Sequence, residues 1–177
     1  MRNKRIQKEL LILLKELVKI DTSYPPGNSD KFDKFVRNYL KTSKLKINSY
    51  YDKDKKRLNT VVKNHTDKAK SIVFNSHIDT VKPIYEEWKT NPYLLRVTNN
   101  FSYGLGAVNC KASAAVQLYI AKNLKKKFKK LKEKICFTFV TGEENLGPEG
   151  TFYLKKKNLI KPHTLILGAP TNNNFLI

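Results

Sequence analysis

The sequence predicts a three-layer α/β/α fold around a mixed, mostly parallel central sheet. Apolar runs typical of buried strands alternate with amphipathic helical segments, which is the pattern of layered α/β proteins. Three of the strands end in motifs of polar residues or glycine, and a glycine-rich turn opens directly into a helix. The 177 residues are enough for one domain with a real core.

The elements follow from hydrophobic periodicity and from helix-start signals. The first helix, at about 4–20, turns Leu10, Leu13, Leu14 and Leu17 inward. The second helix, at about 30–43, has its start signal at Asp30. Two more helices are predicted at about 111–130 and 149–157, and strands near 46–51, 58–63, 71–76, 134–140 and 164–167.

The most informative segment is the predicted strand at 71–76 and the residues that follow it. The strand ends in a His-x-Asp pair, His77 and Asp79. Residues i and i+2 of an extended chain point the same way, so the imidazole and the carboxylate share one face. Open α/β sheets build their sites at the carboxyl ends of strands, and a carboxylate commonly holds the ring of a metal-binding histidine. The alternative is a strand end with two ordinary polar residues.

Other motifs lead to the same edge of the predicted sheet. The strand at 134–140 is followed by the adjacent acids Glu143 and Glu144, and the strand at 164–167 by Gly168 and Ala169. A glycine-rich turn, YGLGAVNCK at 103–111, brings Asn109 to the start of a helix. These strand ends and the turn therefore place a histidine, three acids and an amide where one site can form.

These motifs, in this order, resemble the amino-terminal part of the catalytic domain in the di-zinc amidohydrolase family. That family includes acetylornithine deacetylase, succinyl-diaminopimelate desuccinylase, aminoacylase and glutamate carboxypeptidase. The matching segments are LLILLKELVKIDTSYPPG at 10–27, LNTVV at 58–62, SHIDTV at 76–81, WKTNPY at 88–93, YGLGAVNCK at 103–111, TGEENLGPEG at 141–150 and LGAPTN at 167–172. The resemblance implies a zinc-peptidase-like fold that hydrolyses amide bonds of small N-acylated amino acids or peptides.

The resemblance also implies roles for individual residues. His77 would bind one zinc ion and Asp79 would orient it, while Glu144 would bind the other ion. Position 109 would bridge the two ions, which are zinc or alternatively cobalt. Such ions lower the pKa of a bound water toward neutrality. Glu143 would be the general base that takes the proton of that water and passes it to the leaving amine.

Four positions depart from the family pattern, two of them at expected metal ligands. Leu105 stands where the family has an arginine, and Lys111 is followed by Ala112 and Ser113 where the family has a glycine. Position 109, the bridge, is asparagine instead of aspartate, and position 169, a further carboxylate ligand, is Ala169. An asparagine offers one neutral carbonyl oxygen where two dications call for a charged group with two oxygens. The family's last ligand, a histidine, and its lid and dimerisation domain follow later in a longer chain. We therefore expect residues 1–177 to form an incomplete catalytic domain without the lid.

Three hypotheses about function remain open from the sequence. The first is a truncated and impaired hydrolase, whose partners would be its substrate and a missing carboxy-terminal partner chain. The second is a catalytically inactive pseudoenzyme or remnant with a structural or binding role. The third follows from 35 Lys+Arg against 15 Asp+Glu, a formal net charge of +20, which favours nonspecific binding to nucleic acid.

The composition bears on the compartment. No run of 18 or more apolar residues occurs, so no membrane span is expected. Cys110 and Cys136 do not have the spacing of a metal-binding pair, and free thiols without a disulfide framework indicate a reducing compartment. We therefore expect a cytoplasmic protein.

Overall fold

The computed structural model describes residues 2–52, 57–66, 69–99, 101–127 and 132–171. The helices are α1 (Arg2–Val18), α2 (Asp30–Leu40), α3 (Lys111–Lys127) and α4 (Thr151–Lys156), with a 3₁₀ turn at Tyr85–Glu87. The strands are β1 (Ser23–Tyr24), β2 (Lys46–Tyr51), β3 (Leu58–Lys63), β4 (Ser71–His77), β5 (Thr80–Val81), β6 (Arg96–Val97), β7 (Ser102–Tyr103), β8 (Ile135–Val140) and β9 (Pro162–Leu167).

Five strands form the central sheet, in the order β2-β3-β8-β4-β9. Strand β3 is antiparallel to both of its neighbours, whereas β8, β4 and β9 are mutually parallel. Four of the five strands therefore run in one direction, and β3 alone is reversed. This confirms the predicted mixed, mostly parallel sheet.

Helices cover both faces of the sheet, as the three-layer prediction requires. Side chains alternate across β8 with the period of two that a strand imposes. Phe137 and Phe139 are fully buried in the larger cluster, with the apolar residues of α1, α2 and α3. Cys136 points to the opposite face, where it packs in a second cluster with Leu154 of α4 and Ile160.

The predicted helices and central strands are all present, with ends that differ by a few residues. The first helix begins and ends two residues before its predicted limits, and α2 ends at Leu40 instead of 43. The predicted end of the third helix, residues 128–130, lies outside the described residues. Sequence periodicity missed the two-residue strands β1, β5, β6 and β7, because two residues are too few to show any period.

Sheet register determines where the functional motifs meet. Strands β4 and β8 are parallel neighbours, and His77 at the end of β4 pairs with Val140 at the end of β8. On the other side of β4, Leu167 of β9 pairs with Asn75. Because parallel strands end at the same edge of a sheet, the segments after β4, β8 and β9 all leave the sheet there.

Candidate metal centre

Asp79 contacts the ring of His77 at its Nδ1 atom. This atom lies 3.1 Å from the main-chain oxygen of Asp79 and 3.5 Å from the carboxylate Oδ1. The histidine is 6% exposed and Asp79 is 1% exposed. Asp79 therefore does not face the pocket; it limits the rotation of the ring and turns Nε2 outward.

Asn109 occupies the space between His77 and Glu144. Its Oδ1 atom lies 3.1 Å from His77 Nε2, and its Nδ2 donates a hydrogen bond of 3.4 Å to Glu144 Oε1. One amide thus contacts both of the side chains that the resemblance implies as ligands of different zinc ions. The position is that of a bridge, but its nitrogen is a donor and cannot bind a cation.

The loop after β8 supplies the two acids. Glu143 Oε2 lies 3.8 Å from His77 Nε2, and its side chain is 55% exposed. The main-chain N–H of Glu144 donates a 3.0 Å hydrogen bond to Oδ2 of Asp79. Asp79 therefore fixes both the histidine and the loop that carries the acids. Within the described part of the chain, His77, Glu143 and Glu144 each offer one ligand atom, and these atoms lie within 4.8 Å of one another.

The ionisable groups of the cluster shift one another. Burial lowers the pKa of His77, but hydrogen bonds to Asp79 and Asn109, with the charges of Asp79 and Glu143, outweigh burial and raise it to about 9. Burial raises the pKa of the Glu144 carboxyl; the His77 charge opposes this, and the nearby Glu143 and Asp79 charges add to it. The metal-free cluster is therefore a network of ionic and neutral hydrogen bonds around a protonated imidazole.

A cavity of about 440 Å³ opens above the cluster. His77, Asn109 and Glu143 line it together with Ala169, so the structure brings four of the six predicted positions to one cavity. Ala169 is exposed and offers a methyl group where the family pattern has a carboxylate. Asp79 and Glu144 are not among the lining residues; Glu144 accepts a hydrogen bond from Asn109, and Asp79 accepts one from the main-chain N–H of Glu144.

This donor set fits one divalent ion and does not fit two. Zinc sites commonly use three protein ligands and a water, and His77, Glu143 and Glu144 can supply three. A second ion would need the charged bridge that Asn109 lacks and the outer carboxylate that Ala169 lacks. If Glu143 acts as a base, only two of the described side chains remain as ligands.

Sequence reasoning missed the residues that hold the cluster in place. Asn59 of β3 is fully buried; its Nδ2 donates to the Glu149 main-chain oxygen (2.8 Å), and its Oδ1 accepts from the Thr141 N–H (3.1 Å). Lys111 is also fully buried and donates to the main-chain oxygen of Ile20 at 2.8 Å. Both residues lie in segments of the family resemblance, LNTVV at 58–62 and YGLGAVNCK at 103–111, but neither segment identifies a partner 90 or 91 positions away.

Comparisons with known proteins agree with the geometry. The sequence profile of Peptidase family M20/M25/M40 matches residues 73–175. Acetylornithine deacetylase of Buchnera aphidicola subsp. Acyrthosiphon pisum (strain Tuc7) is 28% identical over 172 residues, which cover 89% of this chain and 42% of that protein. Succinyl-diaminopimelate desuccinylase of Buchnera aphidicola subsp. Cinara cedri (strain Cc) is 31% identical over 114 residues, which cover 62% of this chain and 30% of that protein.

A solved structure shows the same fold. The M20 family metallo-carboxypeptidase Sso-CP2 from Sulfolobus solfataricus superposes with a TM-score of 0.72 and 22% identity, covering 90% of this chain and 37% of the other. The chain thus spans less than half the length of these relatives. No helix in the described ranges is both long and apolar enough to cross a membrane.

Proposed function

This chain belongs to Peptidase family M20/M25/M40, and from that membership we propose that it carries the amino-terminal part of the catalytic domain of a metal-dependent amide hydrolase. The proposal for residues 1–177 is supported by the coverage of relatives, since the matched region is 42% of the acetylornithine deacetylase. The single observation that supports this function most directly is that ligand atoms of His77, Glu143 and Glu144 lie within 4.8 Å of one another.

The proposed substrates are small N-acylated amino acids or peptides, as the names of the deacetylase and desuccinylase relatives suggest. A hydrolase of such compounds needs a proton acceptor that can reach both solvent and substrate. Glu143 meets this requirement, because its carboxylate is 55% exposed beside the cavity. We assign Glu143 as the general base and Asp79 as the residue that orients His77.

The proposed metal site differs from the family pattern of two zinc ions. His77 and Glu144 would hold one zinc or cobalt ion, with Asn109 as a weak neutral neighbour. A divalent ion bound there would supply a water of lowered pKa. Because Asn109 and Ala169 leave the site short of two carboxylates, we expect weak metal binding and impaired hydrolysis.

A second candidate function is a catalytically inactive family member that keeps a binding role. One observation favours it: the Asn109 amide already contacts His77 on one side and Glu144 on the other, so the polar groups are paired without a metal. Binding to nucleic acid stays a prediction from the net charge alone.

Zinc titration by calorimetry tests the site, using the natural chain and the variants His77→Ala and Glu144→Gln. We expect weak binding of one ion that is lost in both variants. The exposed His163→Ala, at the start of β9, is the matched control and should bind as the natural chain does. Equal affinities in all four proteins would mean that the cluster is not the metal site.

Amide hydrolysis tests whether the site is active as it stands. The natural chain with added zinc or cobalt is assayed for release of the amine from N-acetyl and N-succinyl amino acids. We expect no measurable turnover, because of Asn109 and Ala169. Turnover that disappears in Glu143→Gln would show instead that the site hydrolyses amides as it stands.

A further inference from the structure

Arg57, a charged residue outside the cluster, binds the acidic loop at 141–150, which carries Glu143 and Glu144. Arg57 precedes β3 and is 8% exposed. Its Nη1 atom lies 3.1 Å from Oε1 of Glu149 and donates a 3.4 Å hydrogen bond to Oδ1 of Asn145. The guanidinium thus contacts Asn145 in the middle of the loop and Glu149 near its carboxyl-terminal end.

The same guanidinium contacts Tyr24, whose strand pairs with the segment that follows His77. Its Cζ atom lies 4.5 Å from the centre of the Tyr24 ring, the geometry of a cation–π contact. Tyr24 belongs to β1, which pairs with β5, and β5 begins at Thr80 directly after Asp79. Arg57 therefore contacts the acidic loop directly and is connected through Tyr24 to the strand that follows Asp79.

The acidic loop packs closely against the Glu149 carboxylate, which Arg57 binds. A Cβ added at Gly147 would lie 1.8 Å from Glu149 Oε2, and one at Gly142 would lie 2.9 Å from the same atom. Glycine at both positions lets the loop close over the carboxylate. Among the described residues, Glu149 Oε2 and Arg57 Nε are buried atoms with no hydrogen-bond partner, and the contact of Nη1 with Oε1 pairs the two charges.

We infer that Arg57, through Glu149, is a positioning residue of the candidate metal site, setting the loop geometry that brings Glu143 and Glu144 to His77. Asn59, two residues after Arg57, binds the main chain at both ends of the loop, at Thr141 and Glu149. Arg57 binds the side chains of Asn145 and Glu149. The inference rests on the proposed function for its metal readout, but the loop geometry is measured independently of any metal.

The test compares Arg57→Lys, Arg57→Met and Glu149→Gln with the natural chain. Arg37→Met is the matched control, because Arg37 also binds a carboxylate, Asp33, at 2.8 Å, but on α2 and away from the acidic loop. Amide hydrogen exchange is measured without metal at Glu144, Leu146 and Gly147. Zinc affinity is then measured by calorimetry at a temperature where each variant is folded.

We expect exchange at these three amides to be at least tenfold faster in Arg57→Met and Glu149→Gln, and zinc affinity to be at least tenfold weaker. Arg57→Lys, which keeps the charge but loses the planar fork, should lie between the natural chain and Arg57→Met. Arg37→Met should change neither quantity, even if it lowers the melting temperature.

The two proposals fail in different ways. Unchanged loop exchange in the folded Arg57 and Glu149 variants would overturn the positioning role, whatever their zinc affinity. Unchanged zinc affinity with faster loop exchange would also overturn it, since the loop would then not set the site. If the natural chain binds no zinc, the proposed function fails, and loop exchange alone decides the role of Arg57. Should Arg57→Met not fold, Arg57→Lys and Glu149→Gln carry the test.

Discussion

Asn109 Oδ1 lies 3.1 Å from Nε2 of His77, at the place where the family pattern has a bridging carboxylate. The amide keeps the position of the bridge and loses its charge. Its other end, the Nδ2 donor, faces the Glu144 carboxylate at 3.4 Å. Asn109 therefore joins His77 and Glu144 through a neutral amide, where a carboxylate would offer a negative charge to cations.

Restoring the two carboxylates should restore metal affinity. We expect Asn109→Asp/Ala169→Glu to bind zinc at least tenfold more tightly than the natural chain, about 1.4 kcal/mol, because both added charges face the cavity. Asn109→Asp alone should gain less, since one ion would still lack its outer carboxylate. Calorimetric titration measures all three proteins.

The control for this repair adds two acids at the opposite edge of the sheet. Asn38→Asp/Thr42→Glu places them in exposed positions at and after the end of α2. Strand β2, which follows α2, begins at Lys46. Lys46 pairs with Lys63 of β3, and Lys63 pairs with Cys136 at the start of β8. The start of β2 therefore lies at the edge of the sheet opposite to the end of β8, where the candidate site is. A similar gain of affinity in this control would mean that net charge, and not the site, explains the effect.

The edge strand β9 should promote self-association. Among the described residues β9 is the last strand of the sheet, and its Leu165, Ile166 and Leu167 are 43%, 41% and 61% exposed. An exposed apolar edge strand is a template for pairing with another chain. We expect Ile166→Lys to shift the chain toward monomer in sedimentation velocity. Ile12→Lys, at a 56% exposed position of α1, should not. A strictly monomeric natural chain would contradict the prediction.

Gly106 should tolerate alanine less well than Gly27. Both have positive φ, 71° and 73°, so both substitutions carry the left-handed strain of about 1–2 kcal/mol. A Cβ at Gly106 would lie 2.6 Å from Cγ2 of the buried Thr80, whereas at Gly27 the nearest atom is 3.5 Å away. We expect Gly106→Ala to lower the free energy of unfolding by about 1–3 kcal/mol more than Gly27→Ala. Equal losses in urea denaturation would refute the close contact.

Lys111 should make stability rise between pH 7 and pH 10. Burial lowers its pKa to about 8, partly opposed by Asp21. Between this value and the unfolded value near 10.4, the unfolded chain binds more protons, so the folded state gains as pH rises. Relative to Lys111→Met, the natural chain should gain about 2 kcal/mol over this range.

Denaturant unfolding at both pH values measures this difference, and subtraction removes the contribution of the other lysines. The same substitution at Lys8, exposed on α1, is the control for the loss of a lysine from the surface. A difference between the natural chain and Lys111→Met that stays constant with pH would mean that Lys111 is not desolvated.

The sequence by itself determined the layered fold and the set of residues to expect at its edge. Apolar runs with period two and helical spacing are local signals, so β8 and its neighbours were predicted within a few residues. The spacing of His77 and Asp79 also follows from local geometry, since i and i+2 share a face of any strand. The departures at Asn109 and Ala169 are likewise visible in the sequence.

Tertiary structure alone decided which distant residues meet. Strand order placed β4 beside β8, and this brought His77 within 3.8 Å of Glu143. The contact of Arg57 with Glu149 has no sequence signal. The motifs place Asn109 between His77 and Glu144, but only the structure gives the atoms through which its amide contacts them. The physical reason is that strand pairing and side-chain packing join segments by shape and by the need to pair buried polar groups, and neither depends on spacing along the chain.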